Sequence, residues 1–140
     1  MFASGARPPS REARVSRRSI LIADDNLSIR KGLSQLFGRE ADFKVCAEAQ
    51  NGREAVEKAL QFRPDLIVLD LSMPVMNGLD AAQELKQLMP SVPLIMFTSY
   101  ASPSLEAQTL MAGISALVSK SQHAAILVST ARSLLTPRAA

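Results

Sequence analysis

The sequence predicts an α/β fold in which a doubly wound, five-stranded parallel sheet lies between two helical layers, a three-layer α/β/α sandwich. Two observations, joined by a general rule about connections between parallel strands, lead to this prediction. Short apolar runs alternate with segments of helical periodicity, and this unit occurs five times. Only crossover helices join parallel neighbouring strands in so little chain, and right-handed crossovers place helices on both faces of the sheet. Three of the runs are apolar throughout, as strands covered on both faces must be.

The strands are predicted from the apolar runs. Those at residues 19–23 (SILIA), 66–69 (LIVL) and 92–97 (VPLIMF) are continuous. The segment 43–49 alternates apolar and other residues, which is typical of a less buried strand, and a short run at 115–119 completes the set.

The helices are predicted where apolar positions recur every three or four residues. They occupy residues 26–39, 51–62, 78–89, 103–112 and 122–135. Asn26 is placed to cap the first helix, and Gly113 is placed to end the fourth. The core face predicted for the second helix holds Ala55, Val56, Ala59 and Leu60.

Composition divides the chain into three parts. Residues 1–18 have few large apolar side chains, so burial cannot offset the entropy of ordering them, and we expect a flexible Arg-rich arm. Residues 19–136 form one domain, and 137–140 a short tail. Of the formal net charge of +3, the arm contributes +4 through five arginines and one glutamate. The domain itself therefore has no basic excess for binding nucleic acid.

Several classes of protein are excluded by what the sequence lacks. No apolar stretch approaches the ~20 residues that span a bilayer, and no apolar signal-peptide core follows Met1. The single cysteine, Cys46, forms neither an intrachain disulfide nor a CxxC motif. Five residues follow the last predicted helix, too few for a helix-turn-helix. We therefore expect a cytoplasmic protein without a membrane partner and without a DNA-binding domain in this chain.

Polar residues stand at the ends of four predicted strands, and these ends meet at one edge of a parallel sheet, where ligands bind. They are Asp24, Asp25, Asp70, Thr98 and Lys120. Three carboxylates close together repel one another unless one is protonated or a cation joins them, and Mg²⁺ prefers oxygen ligands. The hydroxyl and the ammonium would bind phosphoryl oxygens. The pattern predicts a phosphoryl-transfer site with a carboxylate nucleophile.

Each of these residues taken alone also has a simpler explanation. An aspartate before a helix is usually a cap, an aspartate after a strand is often a turn residue, and a single lysine is most often a solvated surface charge. Their coincidence at the strand ends of one sheet favours the site.

The motifs at these strand ends resemble those of the receiver domain of bacterial two-component response regulators. They are ILIADD at 20–25, DLSMPVMNGL at 70–79, FTS at 97–99 and Lys120 after a short apolar run. The resemblance covers residues 19–135. It implies a flavodoxin-like sheet of strand order 2-1-3-4-5 and a signalling domain that catalyses only its own phosphorylation and dephosphorylation.

The resemblance also implies the chemistry of the site. Asp70 would be the phosphoacceptor, phosphorylated by a histidine kinase or a phosphotransfer protein. Mg²⁺ would be bound by Asp25, Asp70 and the backbone carbonyl of Ser72, with Asp24 acting largely through water. The face formed by the fourth helix, the fifth strand and the fifth helix would be a homodimer surface.

Signal output is where the sequence departs from the family. Thr98 would turn its hydroxyl toward a phosphoryl group paired with Lys120 and so report phosphorylation. Most members carry Tyr or Phe three residues before the lysine and proline directly after it, where this chain has Leu117 and Ser121. We therefore expect a readout without an aromatic ring, and a trans peptide bond after the lysine. Tyr100 is interpreted either as a modulator of access to the acceptor or as a surface loop residue without such a role.

Three other functions fit parts of the pattern. The departures at Leu117 and Ser121 are compatible with a phosphorylation-independent protein-interaction module. A haloacid-dehalogenase-like phosphatase would also use Asp70 as nucleophile, but it needs a second aspartate where this chain has Ser72. A DNA-binding regulator could contact phosphates only through the arm, by salt-sensitive binding.

Overall fold

In the computed structural model, residues 17–135 are described, and they form a five-stranded parallel sheet with helices on both faces. The strands are β1 (Arg18–Ala23), β2 (Phe43–Ala49), β3 (Leu66–Leu69), β4 (Leu94–Thr98) and β5 (Ala116–Ser119). The helices are α1 (Leu27–Gly38), α2 (Gly52–Phe62), α3 (Gly78–Leu88), α4 (Pro103–Met111) and α5 (Ala125–Leu135). The sheet order β2-β1-β3-β4-β5 confirms the predicted fold and strand order.

The core consists of two apolar layers, one on each face of the sheet. Successive strand residues alternate between them, so that Leu21 and Ile67 join the layer under α2 and α3, whereas Ile20 and Val68 join the layer under α1 and α5. These residues are at most 1% exposed. Because both faces of the central strands are covered, their sequences are apolar without interruption.

Side-chain caps fix where four of the helices begin. The side-chain oxygens of Asn26, Asn51, Asn77 and Ser102 each accept a hydrogen bond from the backbone N–H three residues further on. The predicted cap at Asn26 is confirmed. The helices in residues 17–135 contain 9 to 12 residues, and none of them is long and apolar enough to cross a membrane.

The boundaries of several elements differ from those predicted. β4 begins two residues later than expected, at Leu94, because Pro93 has no N–H to donate, although its carbonyl still accepts from Ile67. The last helix begins at Ala125 rather than at residue 122, because residues 119–122 form a hydrogen-bonded turn. The prediction that Leu60 faces the core is wrong, since it is 39% exposed.

The first strand begins one residue before the predicted domain boundary. The backbone N–H of Arg18 donates to the carbonyl of Asp42, 2.8 Å away, which extends the pairing of β1 with β2. The remainder of the predicted arm, residues 1–16, lies outside the described residues, as do residue 136 and the tail 137–140.

Candidate functional site

The carboxyl ends of β1 and β3 bring three acidic side chains together. One carboxylate oxygen from each of Asp24, Asp25 and Asp70 lies within 4.8 Å of the other two. The register explains this proximity. Ala23 pairs with Leu69, and the next N–H along β3, that of Asp70, donates to the Ala23 carbonyl at 2.9 Å. The structure thus brings together the three carboxylates that the sequence places at this edge.

Lys120, which follows β5, reaches into the same cluster. Its Nζ lies 2.7 Å from Oδ2 of Asp24 and 3.2 Å from Oδ1 of Asp70. Burial alone would lower the pKa of the Lys120 ammonium, but its hydrogen bond to Asp24 and the charge of Asp70 raise this pKa above the ordinary lysine value. Lys120 therefore remains positively charged inside the site.

The charge of the cluster is incompletely balanced. Burial raises the pKa of the Asp70 carboxyl above its ordinary value, the nearby charge of Asp24 raises it further, and Lys120 only partly offsets these effects. Asp24 and Asp70 are buried, whereas Asp25 is exposed and leaves the cluster open on one side. An all-oxygen donor set with excess negative charge fits a hard divalent cation such as Mg²⁺.

Asp24 is held by hydrogen bonds at each of its polar atoms. Its N–H donates to the carbonyl of Ala49 at 3.0 Å, and its Oδ1 accepts the N–H of Asn26 at 2.9 Å. Its backbone carbonyl accepts a hydrogen bond from Nη1 of Arg30 at 2.7 Å. The sequence pattern places Arg30 in the first helix and does not indicate its contact with Asp24. This contact depends on the direction of the Arg30 side chain, which Glu48 of β2 helps to fix.

Thr98 and Tyr100 lie at the end of β4. Thr98 is fully buried, and its carbonyl accepts a hydrogen bond from the N–H of Lys120 at 2.8 Å. Its Oγ1 accepts the N–H of Tyr100 at 3.1 Å, and within residues 17–135 this hydroxyl makes no hydrogen bond to the three carboxylates. The side chain of Tyr100 points to solvent, with 66% of the residue exposed.

Leu117 lies on β5, at a surface groove of about 300 Å³. It is half-buried and packs against the core layer that contains α2 and α3. Ser102, Pro103 and Gln122 also line the groove, which separates the start of α4 from the turn after β5. The peptide bond between Lys120 and Ser121 is trans, as predicted.

The loop from Asp70 to α3 is tightly folded. Ser72 is exposed in this loop, two residues after Asp70. Val75 has a φ of 69°, a left-handed conformation that is uncommon for a β-branched residue. At the end of the loop, the N–H of Gly78 donates to the carbonyl of Leu71 at 2.8 Å, so the start of α3 lies directly against the backbone of the candidate site.

The fold and this edge of the sheet together define a class of protein: a flavodoxin-like domain with an acidic, oxygen-rich site at its strand ends. The sequence profile of the response regulator receiver domain matches residues 20–132. The chain therefore belongs to the response regulator receiver domain family of two-component systems.

Individual relatives agree with this assignment. The chain is 36% identical over 109 residues to the transcriptional regulatory protein LnrK of Bacillus subtilis, covering 78% of this chain and 50% of that protein. It is 31% identical over 113 residues to the response regulator protein VraR of Staphylococcus saprophyticus, covering 81% and 54%. The chain thus spans about half the length of the curated relatives it matches.

The fold is also found in solved structures. A two-component response regulator of the LuxR family from Aurantimonas sp. SI85-9A1 superimposes with a TM-score of 0.82 at 29% identity, covering 89% of this chain and 90% of that one. A DNA-binding response regulator of the LuxR family from Staphylococcus aureus has a TM-score of 0.79 at 26% identity, covering 84% and 98%.

Proposed function

We propose that this chain is a phosphorylation-controlled receiver that accepts a phosphoryl group on Asp70, with Mg²⁺, from a histidine kinase or a phosphotransfer protein. The observation that supports this proposal is the proximity of the Asp70 carboxylate to two other carboxylates and to the ammonium of Lys120. In this proposal the domain catalyses only its own phosphorylation and dephosphorylation. A cytoplasmic location stays a prediction from the sequence.

Asp70 supplies the nucleophile. One of its carboxylate oxygens attacks the phosphorus atom, and the bond between phosphorus and the imidazole nitrogen of a phosphohistidine donor breaks, leaving its electron pair on that nitrogen. Asp25, Asp70 and the Ser72 carbonyl would bind Mg²⁺ directly, and Asp24 largely through water. When bound, the ion supplies positive charge for the phosphoryl oxygens.

Lys120 and Thr98 recognise the phosphorylated state. Lys120 is already beside Asp70 and remains charged, so it pairs with the new phosphoryl oxygens. The hydroxyl of Thr98 turns from the N–H of Tyr100 toward the phosphoryl group. This rearrangement would alter the start of α4 and the groove at Leu117, and Tyr100 would modulate access to the acceptor.

The proposal is tested by exposing the protein to acetyl phosphate with and without Mg²⁺ and measuring its intact mass. We expect the gain of one phosphoryl group, lost when the metal is chelated and removed by hydroxylamine, which cleaves acyl phosphates. Failure to gain the group would favour the phosphorylation-independent interaction module. Steady hydrolysis of a phosphomonoester would instead favour the aspartyl phosphatase.

The proposal extends to self-association through the face formed by α4, β5 and α5. Leu105 and Thr109 are buried, whereas Leu110 and Met111 are 67% and 89% exposed on the outer side of α4. Glu106 is the one charged residue in this helix. An exposed helix surface with two large apolar side chains and a single charge suits a two-fold contact, in which each residue contributes twice.

Sedimentation of the phosphorylated protein tests this extension. We expect a dimer whose dissociation constant rises at least about tenfold in Met111→Glu, because the substitution places a carboxylate where an apolar side chain would be buried. An unchanged dissociation constant in the variant would place the contact on another face.

A further inference from the structure

Arg30 joins two parts of the structure that are far apart in sequence. Its Nη1 donates to the carbonyl of Asp24 at 2.7 Å, while its Nε lies 3.0 Å from Oε1 of Glu48 on β2. Both side chains are largely buried, with exposures of 14% and 24%. The guanidinium is planar and rigid, so it can hold both partners at once, whereas a lysine ammonium in the same place could not match this geometry.

Glu48 is itself fixed from the other side. Its Oε2 accepts hydrogen bonds from Nζ of Lys31 at 3.2 Å and from Oγ of Ser34 at 3.0 Å. Burial alone would raise the pKa of the Glu48 carboxyl, but its hydrogen bonds with Lys31, Ser34 and Arg30 lower it below the ordinary value. Glu48 is thus an ionised anchor that orients the Arg30 guanidinium.

We propose that Arg30, oriented by Glu48, is a positioning residue that sets the orientation of the peptide unit between Asp24 and Asp25 and thereby the geometry in which these carboxylates bind Mg²⁺. This inference rests on the proposed function. The carbonyl that Arg30 holds belongs to the peptide linking the two acidic residues. A rotation of this unit would change the direction of both side chains, and partners beyond the ligands of a metal site commonly tune its affinity in this way.

A role of Arg30 through its charge and a role through positioning predict opposite effects of its removal on Mg²⁺ affinity, which makes the inference testable. If Arg30 acted only through its positive charge, its removal would strengthen the binding of a cation to the acidic cluster. If it positions the ligands, its removal weakens that binding. Lys31 is the matched control, because it is the next residue, carries the same charge and also contacts Glu48, but it is not a partner of Asp24.

The experiment titrates Mg²⁺ into the wild-type chain, Arg30→Met and Lys31→Met, following amide shifts in NMR spectra. We expect the dissociation constant to rise about tenfold in Arg30→Met. Lys31→Met removes an exposed and screened charge but leaves Glu48 hydrogen-bonded to Ser34 and Arg30, so we expect the dissociation constant to stay within about twofold of the wild-type value or to fall. Thermal unfolding without metal identifies the variants that are folded.

Each outcome decides between the hypotheses. Equal or tighter binding by Arg30→Met, or equal weakening in both variants, would overturn the positioning role while leaving the proposed function intact. A wild-type chain that binds no Mg²⁺ would overturn both. If Arg30→Met does not fold, Arg30→Lys takes its place, because lysine keeps the positive charge but lacks the planar guanidinium that binds both partners. Mg²⁺ binding by Arg30→Lys that is as tight as binding by Lys31→Met would then contradict the inference.

Discussion

An Asp70→Asn variant is expected to accept no phosphoryl group and to bind Mg²⁺ at least about tenfold more weakly than the wild type. Because Asp70 would bind the ion directly, this loss of affinity should be at least as large as that expected for Arg30→Met. An amide lacks the nucleophilic carboxylate oxygen and supplies no negative charge to the cation. The same intact-mass and titration measurements check both effects. Asp80→Asn is the matched control, since Asp80 is an exposed carboxylate on the first turn of α3. Phosphorylation that persists in Asp70→Asn would place the acceptor elsewhere.

The same substitution should stabilise the fold in the absence of metal. Burial and the charge of Asp24 raise the pKa of Asp70 in the folded state, so the folded protein binds a proton more tightly than the unfolded chain does. Stability is therefore lost as the pH rises from the ordinary aspartate pKa through the raised one. We expect Asp70→Asn to unfold at a higher temperature than the wild type at pH 7. The difference should disappear below the ordinary aspartate pKa, where Asp70 is neutral in both states.

Local patterns were sufficient to predict the fold and the composition of the acidic edge. The strands of the sheet are apolar because helices cover both of its faces, and this requirement is visible residue by residue in runs such as the one at 66–69. Parallel strands also bring their carboxyl ends to one edge. Asp24 and Asp70 could therefore be placed side by side without knowledge of any side-chain contact.

Features that depend on long-range contacts could not be predicted in this way. Arg30 and Glu48 are 18 residues apart, and nothing in the periodicity of either segment indicates that they meet. Leu60 fits the apolar spacing of α2, yet the small residues beside it already fill the contact with the sheet. The turn before α5 replaces helical hydrogen bonds with side-chain bonds such as that from the N–H of Ser119 to Gln122.

A Gly78→Ala variant is expected to lose about 3 kcal/mol of unfolding free energy, the upper range for overpacking. A Cβ at this position would lie 2.2 Å from the backbone oxygen of Asp70 and 3.0 Å from Cα of Leu71. These are backbone atoms of the β3 end, which is hydrogen-bonded to β1, so they cannot move aside as a flexible side chain would. Chemical denaturation at equilibrium, with the slope compared to that of the wild type, measures the loss.

Gly32→Ala is the control for Gly78→Ala, because it makes the same chemical change at a position where we expect stability to rise rather than fall. Gly32 is exposed within α1, and a Cβ there would meet nothing within 4 Å. Alanine restricts the unfolded chain and favours the helix, so this variant should gain about 0.5–1 kcal/mol. The contrast between the two variants isolates the close approach of α3 to Asp70 from the general effect of replacing glycine.

Because the added Cβ presses on the backbone of Asp70, we also expect Gly78→Ala to bind Mg²⁺ more weakly under conditions in which it is fully folded. A Gly78→Ala variant as stable as the wild type would contradict the tight contact between α3 and the backbone of Asp70.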